Sequence, residues 1–281
     1  MCIRDSPPIW DANLMADEVR RVAKKGCHAV TFSENPEKLG WPSFHSDHWD
    51  PFWEACCDEG TVVCLHIGSS SALVITSVEA PIDVMITLQP MNIVQAAADI
   101  LWSRVIKNFP DLRIALSEGG IGWIPYFLER VDYVYKNHKG WTYQDFGDKL
   151  PSQVFNERII TCFIDDAAGI ESRHHLNLDH ITWECDYPHS DSTWPESPEV
   201  LAKSLVGVPD DEIDKITHQN AMRLFQFDPF SVRPREKCTV GALRAEAAGV
   251  DISLRSSGKP VVKPDKPITV MTLAERAGAA R

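Results

Sequence analysis

Five short apolar runs in this chain each stop at or beside an acid or a histidine. They are Cys27–Phe32, followed by Ser33 and Glu34; Thr61–Leu65, ended by His66; Leu112–Ser117, followed by Glu118; Arg158–Ile164, followed by Asp165 and Asp166; and Ile181–Cys185, followed by Asp186. The runs are apolar and rich in β-branched residues, the pattern of strands buried on both faces. Between them, apolar side chains recur at helical spacing from Asn13, read as an N-cap, to Lys25, and from Pro51 to Glu59. The same spacing runs from Asn92 to Asn108, from Trp123 to Lys136 and from Asp210 to Phe225. Strands that alternate with helices form a parallel sheet. Acids and histidines that recur at the same end of every strand fit a (β/α)8 barrel, whose site lies at the strand C-termini. Five units are too few to close such a barrel, so the expected fold is an incomplete one. An open doubly wound sheet is the alternative, without a G-x-G-x-x-G phosphate loop to support it.

The last run is the most informative. Pro188 forbids further ladder pairing, so Asp186 stands at the strand end, with His189 and Asp191 in the loop beyond. A carboxylate there can ligate a metal or take a proton from a metal-bound water; taken alone, it also reads as the cap of a surface turn. His66 is followed by Gly68, Ser69, Ser70 and Ser71, which leave room for a ligand. It reads either as a buried structural imidazole or as a metal ligand. Glu34 reads as a solvated loop acid or a substrate contact. The loop from Pro36 to Pro51 carries Trp41, Phe44, His45, His48 and Trp49. Long loops often cover sites, so Trp41, His45 and His48 are candidate substrate contacts under an apolar lid. His45 and His48 are one helical turn apart, but substrate contact is the better reading than metal binding.

Composition narrows the partners. A net charge of -12 argues against nucleic acid and anionic membranes. No signal-peptide pattern and no uninterrupted apolar run of transmembrane length stand out. Eight cysteines without a C-x-x-C read as reduced thiols in a cytoplasmic protein. Residues 1–228 read as the barrel part. Residues 229–281, rich in Pro and Lys (Lys259-Pro260, Lys263-Pro264), read as an extended tail with a last helix near Leu273.

Four motifs carry a resemblance. Leu65-His66-Ile67-Gly68, Ser117-Glu118-Gly119-Gly120, Cys185-Asp186-Tyr187-Pro188-His189 and Asn220-Ala221-Met222-Arg223-Leu224-Phe225 resemble, in order and spacing, the amidohydrolase-related family typified by aminocarboxymuconate-semialdehyde decarboxylase. The similarity runs from about Pro8 to Phe225. It implies a TIM barrel with one divalent metal, often zinc or manganese, that decarboxylates aromatic or dienoic acids or hydrolyses C–O, C–N or C–C bonds. It implies His66 as a metal ligand at the fifth barrel strand, and Asp186 as metal ligand and proton carrier at the eighth. The Asn220 segment matches the closing helix.

Two departures qualify this. The family's first strand supplies further metal ligands through a His-x-His or a Glu, whereas this sequence aligns from just before the fourth strand. The expectation is a truncated reading frame whose first residues are not native. Second, many members carry a histidine where this chain has Glu118. An ionised glutamate repels a substrate carboxylate, which tips the expectation from decarboxylation toward hydrolysis, or toward a site with no metal.

The reading is therefore a metal-dependent hydrolase or decarboxylase for a small aromatic or unsaturated acid or ester. Asp186, Glu118 and His189 are catalytic, His66 and Asp186 bind metal, and a homodimer is expected from the family. The competing reading is a non-catalytic barrel fragment, or a pseudo-enzyme that binds a small acid, with two exposed sheet edges.

Overall fold

The computed structural model describes residues 6–253 and 267–279, which form two compact units. The first holds residues 6–72 and 92–227. Its centre is a sheet of β1 (Ala29–Ser33), β2 (Val62–His66), β3 (Ile114–Ser117), β4 (Ile159–Phe163) and β5 (Ile181–Trp183), parallel throughout and in sequence order. Ser33 pairs with His66 and His66 with Ser117, so the C-terminal ends of the first three strands lie level. Parallel neighbours need long crossovers, and helices supply them here.

The crossover helices are α1 (Ala12–Ala23), which precedes the sheet, α2 (Asp50–Asp58), α3 (Ile82–Leu88, in the second unit), α4 (Met91–Trp102), α5 (Arg104–Asn108), α6 (Ile124–Thr142), α7 (Pro151–Arg158) and α8 (Ala167–Glu171). After β5 come α9 (Ser197–Ser204), α10 (Asp210–Asp214), a π-helical turn at Lys215–Gln219, and α11 (Asn220–Leu224). Three details differ from the sequence reading. Asp11, not Asn13, caps α1 by accepting from the Asn13 and Leu14 amides. The helix expected over 92–108 is two, because Ser103 Oγ accepts from the Val105 amide and starts a new helix. Between Lys136 and Arg158, where the sequence reading placed no helix, lies α7, with Pro151 in its first turn and Asp132 taking the Ser152 amide at 3.0 Å.

Alternate strand residues divide the sheet into two faces. Val30, Phe32, Val63, Leu65, Ile114, Leu116, Ile159 and Phe163 join the helices in the main core. On the other face, Val62, Ala115 and Ile160 pack with Leu224 of α11 and with the partly buried Cys64 and Phe225.

The aromatic loop belongs to the main core, which corrects its reading as a lid. Phe44 and Trp49 are fully buried around Phe32, with ring centroids 6.0 and 5.0 Å away. Each such ring pair adds about 0.5–1.5 kcal/mol beyond its buried area.

The stretch Ile82–Trp102 (21 residues, mean hydropathy 1.2) is long and apolar enough by composition to cross a membrane, contrary to the sequence reading. The chain turns at Gln89–Pro90, between α3 and α4, and α4 buries Ile93, Ala96, Ala97, Ile100 and Leu101 in the core.

The second unit holds residues 73–91, 228–253 and 267–279. Pro81 and Thr269 form an antiparallel bridge, and the Ile82 amide bonds the Ile268 carbonyl at 2.8 Å. Residues 229–253, expected to be extended, form short helical turns and α12 (Val240–Glu246), and the last helix is α13 (Val270–Ala279). Lys259-Pro260, Lys263-Pro264 and residues 1–5 lie outside the described residues. Seven cysteines are described, none of them in a disulfide.

Candidate active site

Four of the residues singled out from the sequence meet at the C-terminal ends of the strands. His66 closes β2. Its Nδ1 lies 2.7 Å from the Ile67 carbonyl, which makes that nitrogen the donor and directs Nε2 toward Glu118 Oε1, also at 2.7 Å. Glu118 is hydrogen-bonded in turn to Asp186. His189 Nδ1 is 2.7 Å from Asp186 Oδ2, but out of line, so this buried oxygen receives no directed hydrogen bond.

The backbone is shaped to hold these acids. Glu118 and Asp186 sit at φ 59° and 53°, in the left-handed region, which costs an L-residue about 1–2 kcal/mol. Glu118 is fixed there by its amide, which donates to Glu184 Oε1 at 2.9 Å. The next residue has to be glycine: a Cβ on Gly119 would fall 2.3 Å from Ile93 Cγ2. Asp166 then takes the Ile121 and Gly122 amides, each at 2.7 Å, and anchors the rest of the turn.

The carboxyls divide into acid and base. Burial raises the Asp186 pKa, and the hydrogen bond and charge of Glu118 raise it further. Burial also pulls Glu118 upward, but hydrogen bonds from His66 and Asp186 outweigh it and hold its pKa below the ordinary value. The proton between them therefore rests on Asp186. The hydrogen bond to Glu118 raises the His66 pKa against the cost of burial.

Glu184 was missed in the sequence. Burial raises its pKa, and besides the Glu118 amide it contacts Cys162 Sγ at 3.0 Å. The signal was present: period-two alternation puts Thr182, Glu184 and Asp186 on one face of the strand. Glu184 also lines a mainly apolar cavity of about 150 Å3, with Ala115, Ser117, Ile160, Cys162 and Phe225 among others; His66, Glu118 and Asp186 do not line it.

The other candidates have different partners. Glu34 is 2% exposed and is a latch, not a solvated or substrate-binding acid. Its carboxylate takes the Ser70 amide at 2.6 Å and both the Ser69 and Ser70 hydroxyls. Ser69 Oγ also reaches the His66 carbonyl at 2.7 Å. His45 Nε2 pairs with Asp99 Oδ1 of α4 at 2.7 Å, and His48 packs edge-on against Trp49. Trp41 is partly buried against the main core. The partners the structure gives Trp41, His45 and His48 are thus Asp99, Trp49 and the main core rather than members of the acid cluster, for which they were read as substrate contacts.

His66 and Asp186 have the chemistry of metal ligands. A histidine whose Nδ1 is locked by a backbone carbonyl presents Nε2, and Asp186 Oδ2 is a buried oxygen without a directed partner. Among the described residues, however, no group of three donors converges as a metal site. The pair fits two positions of such a site and does not complete it.

Residues 5–227 match the family model described as Amidohydrolase. Among curated proteins nothing matches. Of the solved structures, 5-carboxyvanillate decarboxylase LigW from Sphingomonas paucimobilis superposes with a TM-score of 0.65 at 19% identity, covering 79% of this chain and 66% of its own. LigW2 from Novosphingobium aromaticivorans, with bound manganese and 3-methoxy-4-hydroxy-5-nitrobenzoic acid, gives 0.61 at 16%, covering 79% and 64%. The 2,6-dihydroxybenzoate decarboxylase from Rhizobium gives 0.60 at 17%, covering 79% and 69%. At such identities the likeness is one of fold. The chain spans about two thirds of the length of each of these structures.

Proposed function

This chain belongs to the amidohydrolase family, and from that premise we propose that it is an enzyme that decarboxylates a small aromatic or unsaturated carboxylic acid. The observation that carries the reading is the division of Glu118 and Asp186 into a base and an acid at the C-terminal ends of the strands, beside His66 and His189. Two carboxyls driven apart in acidity mark a general acid and its partner.

Decarboxylation breaks a C–C bond and leaves an electron pair on carbon, which a proton must take up. Asp186, the carboxyl of the pair whose pKa is raised, is placed to hold that proton and deliver it. Glu118 keeps the proton on Asp186 until then. The repulsion expected between Glu118 and a substrate carboxylate is lessened by His66 Nε2, 2.7 Å from Glu118 Oε1. His189, exposed beside Asp186, is placed to meet the substrate carboxylate.

A divalent ion, manganese or zinc, is part of the proposal. His66 Nε2 and Asp186 Oδ2 would hold it, with at least one donor that the described residues do not supply, and it would provide Lewis-acid polarisation of the substrate's oxygens.

Hydrolysis of an ester or lactone is the second reading, supported by the ionised Glu118 as a general base. The test is a panel of aromatic and unsaturated acids assayed for CO2 release beside a panel of esters and lactones, with manganese or zinc supplied. CO2 release supports the first reading and ester cleavage the second. Binding of the acids with neither reaction overturns both in favour of a small-acid-binding protein.

A further inference from the structure

The two hydrogen-bonded carboxyls of the site stand on strands that are not neighbours. Glu118 follows β3 and Asp186 follows β5, and β4 runs between them. At about 4.8 Å per strand, the two backbones are set roughly 10 Å apart. The backbone ladder stops short of both acids. β3 pairs with β4 only as far as Leu116 with Thr161, and β4 with β5 as far as Phe163 with Trp183. Beyond that, side chains tie the strand ends together. The Glu184 amide donates to the Phe163 carbonyl at 3.0 Å and carries the line of β5 one residue further. Its side chain then crosses β4, and Oε1 accepts from the Glu118 amide at 2.9 Å. Cys162 of β4 supports the crossing, with Sγ 3.0 Å from that oxygen and 3.3 Å from the Glu118 nitrogen.

We propose that Glu184 is a positioning residue for the reaction, a strut from β5 to β3 that sets how the Glu118 and Asp186 carboxyls meet. Glu184 and Asp186 lie on one face of the same segment. Glu118 is therefore held from β5 at two points, its amide by Glu184 and its carboxyl by Asp186. The hold on the amide fixes a residue at φ 59°, a conformation that persists in a non-glycine residue only where the surroundings impose it. Without the strut, the Glu118 amide keeps only the Cys162 sulfur, a weak acceptor, and the turn relaxes away from Asp186. The role needs one acceptor oxygen at position 184 and no charge. Glutamine has that oxygen, and leucine does not. The catalytic part of this inference rests on the reaction proposed above; the hold on Glu118 does not.

The full chain carrying Glu184→Gln or Glu184→Leu tests it, with circular dichroism to confirm folding and with manganese or zinc supplied for turnover. Glu184→Ala, which also lacks the acceptor, takes the place of Glu184→Leu if leucine prevents folding. A catalytic group displaced by about 1 Å can cost about 100-fold, so kcat for CO2 release should fall about 10- to 100-fold in Glu184→Leu, with KM changed by less than about threefold. Glu184→Gln should recover most of that loss. The second readout needs no turnover. Followed by NMR, the Glu118 amide should exchange with solvent at least about tenfold faster in Glu184→Leu than in wild type or Glu184→Gln, while the amides of β4 keep their rates. If the wild type releases no CO2, the reading of the reaction fails, and exchange alone decides whether Glu184 holds Glu118. Unchanged exchange at Glu118 in Glu184→Leu overturns the proposal. So does wild-type kcat in Glu184→Leu, or a Glu184→Gln variant as defective as Glu184→Leu.

Discussion

Asp186 and Glu118 lie carboxyl to carboxyl with opposed acidities: burial and Glu118 push the Asp186 pKa up, while His66 and Asp186 hold that of Glu118 down. Asn at position 186 keeps an N–H donor where Asp has its O–H, but it has no proton to give. Asp186→Asn should therefore melt within a few degrees of wild type while CO2 release from a turned-over acid falls by about three orders of magnitude or more, as for loss of a general acid and its electrostatics together. Differential scanning calorimetry and the CO2 assay check the two halves. Turnover close to wild type would remove Asp186 from the reaction.

The metal assignment can be tested without turnover. Calorimetric titration with manganese or zinc should give a stoichiometric site that weakens about 10- to 100-fold or more in His66→Ala and Asp186→Asn, the range lost when such a site is perturbed. A site unmoved by both variants would place the ion elsewhere. No binding by the wild type would mean that two donors are too few.

Glu118 depends on a close approach that can be measured. Gly119 faces Ile93, which is fully buried, and a methyl group on Gly119 would lie 2.3 Å from Ile93 Cγ2. Gly119→Ala should cost about 1–3 kcal/mol by overpacking. Ile93→Ala should cost about 2–5 kcal/mol by leaving a cavity. In the double variant the added methyl enters the vacated space, so the two costs should fall short of their sum by about 1 kcal/mol or more. Urea unfolding of all four proteins gives the coupling, and strict additivity would contradict the contact.

Much of this arrangement was legible in the sequence, for reasons that also explain what was not. The strands showed because both faces are buried, so β-branched residues run without interruption. His66, Glu118 and Asp186 showed because they follow such runs directly. Glu184 shares their face but lies between Trp183 and Cys185, where it reads as an interruption of a strand. Glu34 occupies the same relative place as the others, yet its role is set by Ser69 and Ser70, 35 and 36 residues away. Phe44 and Trp49 misled for the same reason: an aromatic loop looks alike over a ligand and over Phe32. Local pattern carries element type, and long-range partners decide use.

His180 gives a pH dependence that does not involve the acid cluster. Its ring is mostly buried at the start of β5, with Nδ1 3.2 Å from the Ile159 carbonyl. Burial, assisted by the charges of Arg223 and Arg113, lowers its pKa below the ordinary value. The unfolded chain therefore takes up the proton first. The associated stability is fully present above the unfolded pKa of about 6.5 and is lost as pH falls toward the folded value. Between neutral and mildly acidic pH, wild type should lose more stability than His180→Gln, which carries no titrating group. Parallel urea curves at each pH, with no difference in slope between the two proteins, would contradict this.

The Glu34 latch is a structural assignment with a size. Its carboxylate accepts three hydrogen bonds, from the Ser69 and Ser70 hydroxyls and the Ser70 amide, and it is buried with all of them. Alanine removes the acceptor and leaves the donors facing one another, so Glu34→Ala should cost about 3 kcal/mol. Glutamine keeps one acceptor oxygen and turns an NH2 toward the remaining donors, which should cost roughly 1–2 kcal/mol. Because Ser69 also reaches the His66 carbonyl, the amides from Ile67 to Ser71 should exchange faster with solvent in Glu34→Ala than the amides of β3 and β4. Hydrogen exchange read by mass spectrometry separates this from a general loss of stability. Equal acceleration across the sheet would reduce Glu34 to an ordinary core residue, while acceleration confined to Ile67–Ser71 would show that it holds the turn on which His66 depends.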